Sequence, residues 1–153
     1  MTSDPAKAWE IAESIKTCFL LTGQKQMPMS SMPRKEEGAI YFLTDAGSEK
    51  VADIDKDAGV QLSYANHSGN EFLFIEGEAT VSDDRVKIKD LWSPFAKAWW
   101  DSPDDPDIRL ITVVPNSAEF WDGPHSLVAA AKMLFAAASE GRPDMGANRE
   151  TNI

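Results

Sequence analysis

The spacing of apolar residues divides the chain into helical and extended stretches. Ala8, Ile11, Ala12 and Ile15 recur at three- and four-residue intervals, which predicts a helix ending near Lys16. Asp4 suits its cap and Pro5 its first position. Cys18 to Thr22 is a short apolar run closed by Gly23, read as a strand with Met27 to Met32 as its hairpin partner. After the polar turn Lys35 to Gly38, Ala39-Ile40-Tyr41-Phe42-Leu43 is a strand of branched and aromatic residues, broken by Asp45-Ala46-Gly47. Ser48 opens a short helix with Val51, Ala52 and Ile54 as its buried side. Val60, Leu62 and Tyr64 alternate with Gln61, Ser63 and Ala65, the period of a strand. The turn cluster Asn66 to Asn70 leads into the longest strand, Glu71 to Ser82, where Gly77 marks a bulge or a close backbone approach.

Asp83-Asp84 begins a helix carrying Val86, Ile88, Leu91 and Trp92, and Pro94 to Trp100 is a second, aromatic helical stretch. Residues 101–107 form an acidic loop. Ile108 to Val114 reads as a strand, with Ala118 to Trp121 as its hairpin partner beyond a Pro115-Asn116 turn. Ser126 suits the cap of a final helix with Leu127, Val128, Ala131, Leu134, Phe135 and Ala138 on one side, stopped by Gly141 and Pro143. The expected organisation is one domain over 1–141, followed by a flexible polar tail over 142–153. Strands in succession, rather than strict alternation with long helices, predict a mainly β fold: an antiparallel barrel with flanking helices.

The charge balance narrows the partners. With 25 acidic against 15 basic residues, the net charge is −10. Such a surface repels phosphate backbones and acidic membranes, so neither nucleic acid nor a membrane is expected as a partner. Any phosphate-bearing ligand needs a local cationic site. The single cysteine, Cys18, excludes an intramolecular disulfide and, lying in an apolar strand, reads as a structural thiol of an intracellular protein. No apolar run approaches the ~20 residues of a membrane span, and the start of the chain lacks a secretory pattern, so a cytoplasmic location is expected. His67 and His125 have no neighbours at metal-ligand spacing, and no metal site is expected.

One stretch carries candidate chemistry. The strand ending at Leu43-Thr44 turns and enters a helix at Ser48-Glu49-Lys50. A lysine in the first helical turn opposes the helix dipole, at about 0.3–1 kcal/mol, unless an anion binds there. Two hydroxyls, an ammonium and free backbone N–H groups then form a phosphate site. Equally, Ser48 is a plain cap and Lys50 a solvated cation offset by Glu49. The spacing alone leaves both readings open.

The pattern Thr44-x-x-x-Ser48-x-Lys50 after an aromatic strand resembles the phosphate-binding segment of the pyridoxamine-phosphate oxidase-like flavoproteins. Ala118-Glu119-Phe120-Trp121-Asp122-Gly123 is similar to a segment near the end of those oxidases. Pro28-Met29-Ser30, Leu91-Trp92-Ser93-Pro94, Ala98-Trp99 and Asp104-Asp105-Pro106 resemble the general stress protein branch of that superfamily. The resemblance spans roughly residues 8 to 123 and implies an FMN-binding split β-barrel that works as a homodimer, with flavin held between subunits. Carried over by position, Pro28, Met29 and Ser30 lie along the flavin ring, Leu43 and Thr44 flank the ribityl-phosphate path, Ser48 and Lys50 hold the phosphate, and Trp121 reaches the flavin from the partner. FMN is the implied cofactor, with FAD as the alternative.

Three departures stand out. Met27 occupies a position where the family commonly has Arg, with Lys25 two residues off, and Glu49 stands where the oxidases tend to carry Arg. His125 follows Trp121 without the companion Arg that the true oxidases use to hold their substrate, so vitamin B6 oxidation is disfavoured. No catalytic residue is assigned. The implied functions are a flavin oxidoreductase with NAD(P)H-linked chemistry, a non-catalytic flavin-binding stress protein, or a cofactor-free split-barrel dimer.

Overall fold

The computed structural model describes residues 3–123, 133–134 and 146–153. The chain opens with α1 (Asp4–Ile15), whose cap is Ser3 rather than the expected Asp4: the Ser3 hydroxyl accepts from the Ala6 N–H at 3.3 Å. Ala8, Trp9, Ile11 and Ala12 form its buried face. The strands are β1 (Thr17–Thr22), β2 (Lys25–Ser30), β3 (Met32–Arg34), β4 (Ala39–Asp45), β5 (Gly59–Asn66), β6 (Glu71–Ser82), β7 (Ile108–Asp122) and β8 (Ala147–Asn152). Helix α2 (Glu49–Lys56) joins β4 to β5, and α3 (Arg85–Leu91) follows β6.

The strands form one antiparallel sheet in the order β2-β1-β5-β6-β7-β4-β3, with β8 also paired to β7. Its two ends are neighbours in the chain, since β2 and β3 are separated by Ser31 alone. A sheet whose opposite ends meet at one residue must curl, and the result is a split half-barrel. The curl encloses one core: the α1 face, Cys18 and Leu20 of β1, Ile40 and Phe42 of β4, Leu62 and Tyr64 of β5, Leu73 and Ile75 of β6, and Ile111, Val113 and Phe120 of β7. Each such large side chain, removed from water, contributes about 1.5–3 kcal/mol. A second cluster covers the outside of β4 and β7, where Tyr41, Ile108 and Leu110 meet Ile88 and Leu91 of α3, with Trp92 and Trp100 packed at its edge.

The Ser31 junction is polar and buried. Its N–H donates to the Lys16 carbonyl at 2.9 Å, its hydroxyl also donates to that carbonyl, and the Tyr64 hydroxyl donates to Ser31 Oγ at 2.8 Å. Cys18, 2% exposed, borders the same cluster, and burial pushes its thiol pKa up to about 12. It is a structural thiol, as its apolar strand implies.

Several expectations need correction. Residues 27–32 do not form one hairpin strand: Lys25 to Ser30 pairs β1, whereas Met32 pairs Tyr41 of β4. The Pro115-Asn116 dipeptide is not a hairpin turn. β7 runs unbroken through it, and Asn116 is the extra residue of a bulge, with Glu76 opposite Ser117 and Gly77 opposite Pro115. Proline fits there because a bulge relieves it of a ladder hydrogen bond. The expected polar tail contains a strand: Ala147 to Asn152 pairs the second half of β7. On α2, Ile54 is buried but Ala52 is exposed. Val86 of α3 is 82% exposed. Pro94 to Ala98 is a 3-10 turn. The expected final helix after Ser126 and His125 lie outside the described residues, apart from Met133 and Leu134, which are helical.

Basic side chains tie down the acidic loop: Arg109 donates to the Pro106 carbonyl at 2.8 Å and Lys89 pairs with Asp104 at 3.3 Å. Arg85, first residue of α3, donates to the carbonyls of Asp105 at 2.6 Å, Pro106 at 3.2 Å and Ile108 at 3.0 Å, while its Nε donates to Asp83 at 2.6 Å. Among the described residues no group of His, Cys, Asp and Glu side chains is arranged to hold a metal ion. No helix among them is long and apolar enough to cross a membrane.

Candidate functional site

Strand β4 alternates sharply: Ile40, Phe42 and Thr44 turn into the barrel, and Ala39, Tyr41 and Leu43 turn toward α3. Thr44 and Leu43 therefore lie on opposite faces, and the Leu43 side chain packs against the second cluster. Thr44, 5% exposed, sits where the barrel opens toward α2. Ser48 occupies the cap position of α2 but makes no side-chain capping bond. Its Oγ lies instead 3.3 Å from Thr44 Oγ1, and either hydroxyl can donate. This decides against the plain-cap reading of Ser48. The turn is held by Ala46 N–H donating to the Asp107 carbonyl at 2.8 Å and by Trp100 Nε1 donating to Asp45 at 2.8 Å.

Lys50 follows in the first turn of α2, half-buried. Among the described residues no carboxylate lies within ion-pairing distance of it. Glu49, which threatened to offset it, is engaged elsewhere: Lys25 at the start of β2 hydrogen-bonds and ion-pairs with its carboxylate. That bond holds Glu49 below the usual carboxylate range and raises Lys25. The N–H groups of Glu49 and Lys50 have no acceptor within their own helix. The paired Thr44 and Ser48 hydroxyls and the free N–H groups of the first helical turn are donors of the kind a phosphate monoester accepts from, and Lys50 follows Ser48 by two positions.

The same ion pair brings β2 to this turn. Register places Pro28 opposite Phe19 and Ser30 opposite Thr17, on the outer face, and Met29 opposite Cys18, turned toward the core. The outer face is markedly apolar: Phe19 is 50% and Trp121 40% exposed, and Phe72 and Phe74 are half-buried beside them. Trp121 pairs with Phe72 on this face. It does not share a site with Thr44 within the chain. Thr44 pairs with Arg109, and Trp121 lies about a dozen residues further along β7, up to roughly 40 Å at the usual strand rise. An open depression of about 390 Å³ on the outer face, between Leu21, Gly59, Gln61, Gly77 and Asn116, is separate from the Thr44–Ser48–Lys50 cluster.

The contacts of Lys25 and Trp100 carry no signal in the local pattern. Lys25 and Glu49 are 24 residues apart, and no periodicity links them. Trp100 and Asp45, 55 apart, are equally illegible from local pattern.

A curled antiparallel sheet whose ends meet at Ser31, filled by α1, defines a split-barrel protein. The comparisons sharpen this. The chain belongs to the pyridoxamine 5'-phosphate oxidase like family, whose model matches residues 3–144. Its fold is similar to that of a solved structure from Jannaschia sp. CCS1 described as a general stress protein 26, with a TM-score of 0.80 and 25% identity over 96% of each chain. A general stress FMN/FAD binding protein from Xanthomonas citri is similar at a TM-score of 0.67 and 22% identity, over 76% of this chain and 86% of that one. Protein bli-3 of Neurospora crassa is 23% identical over 94% of this chain and 71% of its own length.

Proposed function

We propose that the protein binds FMN, with the phosphate at Thr44, Ser48 and Lys50, and that a homodimer formed through the outer sheet face completes the site. The observation that carries this reading is the Ser48 hydroxyl, turned from its capping role toward Thr44, two residues ahead of a lysine with no carboxylate partner among the described residues. In this reading Lys50 and the two hydroxyls hold the phosphate, and β2 from Pro28 to Ser30 lies along the ring. Trp121, remote within its own protomer, reaches the flavin of the partner. The exposed Phe19 and Trp121 supply an apolar surface suited to a second copy. When bound, FMN supplies hydride-transfer chemistry with a nicotinamide donor, and the chain supplies position and shielding from water. The Xanthomonas citri neighbour, described as binding FMN or FAD, supports the ligand class.

The test is a fluorescence titration of the apoprotein with FMN. Saturable binding is expected, weakened about tenfold or more by Lys50→Met, since a bond to a charged partner is worth about 1.5–3 kcal/mol. Absence of saturable binding at micromolar FMN overturns the reading. Sedimentation at monomer mass overturns the interface. Stopped-flow reduction by NADH or NADPH, faster than for free FMN, supports an oxidoreductase; an unaccelerated rate assigns a flavin-binding role alone.

A further inference from the structure

The Lys25–Glu49 pair joins the two halves of the proposed site, the β2 strand and the mouth of α2. Glu49 is the first residue of α2, directly between Ser48 and Lys50. A free carboxylate there is drawn to the same helix terminus as any bound anion, and it repels a phosphate dianion. At a separation of about 6 Å and a water-like dielectric that repulsion amounts to roughly tenfold in affinity, less with salt. Lys25 removes it by holding the carboxylate. The hairpin that carries Lys25 is itself fixed to α2, because Thr22 Oγ1 donates to Asp53 Oδ2 at 3.2 Å. That bond engages the other nearby α2 carboxylate and leaves Glu49 as the partner of Lys25.

We propose that Lys25 is a positioning residue of the phosphate site, which keeps the Glu49 carboxylate away from the anion held by Ser48 and Lys50. The inference rests on the FMN-phosphate reading above. It assigns Lys25 no direct contact with the flavin, and it makes the local charge balance of this site depend on a residue three places from the ring-facing strand segment.

The test compares FMN with riboflavin, which lacks the phosphate, by fluorescence titration of the full chain. Lys25→Ala is expected to weaken FMN about three- to tenfold while leaving riboflavin unchanged. Adding Glu49→Gln to that variant restores wild-type FMN affinity, whereas Glu49→Gln alone changes FMN affinity far less than Lys25→Ala does, because Lys25 already holds that carboxylate in the wild type. The thermal midpoint stays near wild type, because both side chains are largely exposed, at 60% and 72%. If the double variant stays as weak as Lys25→Ala, Lys25 is a direct ligand and the proposal is overturned. An equal loss for riboflavin, or no loss for FMN, overturns it too. Should Lys25→Ala not fold, Lys25→Gln takes its place in the same comparison, and unchanged FMN affinity in that variant refutes the proposal. Failure of the parent reading is distinct, since Lys50→Met would then leave FMN affinity unchanged and wild type would bind FMN no more tightly than riboflavin; that result overturns this inference with it.

Discussion

The bulge where β6 meets β7 aims the second half of β7, and with it Trp121, and it offers a sharp test of how the barrel is built. A Cβ built on Gly77 falls 2.6 Å from the Val114 carbonyl oxygen, 3.1 Å from the Pro115 Cα and 3.1 Å from Val113 Cγ1. An ordinary carbon–oxygen contact is about 3.3 Å. Gly77→Ala therefore demands a shift of roughly 0.7 Å in backbone that two strands already share. Overpacking of this kind costs about 1–3 kcal/mol, against a gain of about 0.4–1 kcal/mol from the stiffer unfolded chain. The expected net loss is about 1–2 kcal/mol, a fall in thermal midpoint of roughly 2–8 °C for a domain of this size. Gly47→Ala is the control, because nothing lies within 4 Å of a Cβ there, and it should be neutral or slightly stabilising. Thermal denaturation followed by far-ultraviolet circular dichroism reads both. A Gly77→Ala protein as stable as wild type, with Gly47→Ala behaving as stated, would refute the close-approach account of the bulge.

Two further tests address the barrel and its flank. Ser31→Ala leaves the buried Tyr64 hydroxyl without its acceptor and should cost about 1–3 kcal/mol in urea denaturation. Tyr64→Phe added to it should recover most of that loss, and a Ser31→Ala protein of wild-type stability would contradict the junction. On the flank, hydrogen bonds from Lys87 and then Tyr41 hold Glu37 below its ordinary carboxylate pKa of 4.5. A depressed carboxylate stabilises the fold above its unfolded pKa, and the contribution disappears as pH falls through the lower folded value. Glu37→Gln should therefore differ from wild type at pH 6 and converge with it well below pH 4.5, as read by denaturation midpoints across that window. A difference that persists in acid would contradict the assignment.

Local pattern determined much of this protein. The alternation of Val60, Leu62 and Tyr64, the helical spacing of Ala8, Ile11 and Ala12, and the Gly77 irregularity all appear where side-chain periodicity put them, because burial of one face is a local requirement. The meeting of Thr44 and Ser48 was also legible, as a strand–turn–helix segment brings their hydroxyls together without help from the rest of the chain. Tertiary structure alone decided what pairs with what. Met32 leaves β2 for β4, the Pro115-Asn116 dipeptide stays within a strand because Gly77 opposite has no Cβ to obstruct it, and the polar segment Ala147 to Asn152 gains a ladder from β7. The Lys25–Glu49 pair exists only because the sheet curls until β2 meets α2. Residues 24 apart carry no local signal of contact, since the free energy that joins them comes from closing the barrel and not from their own spacing.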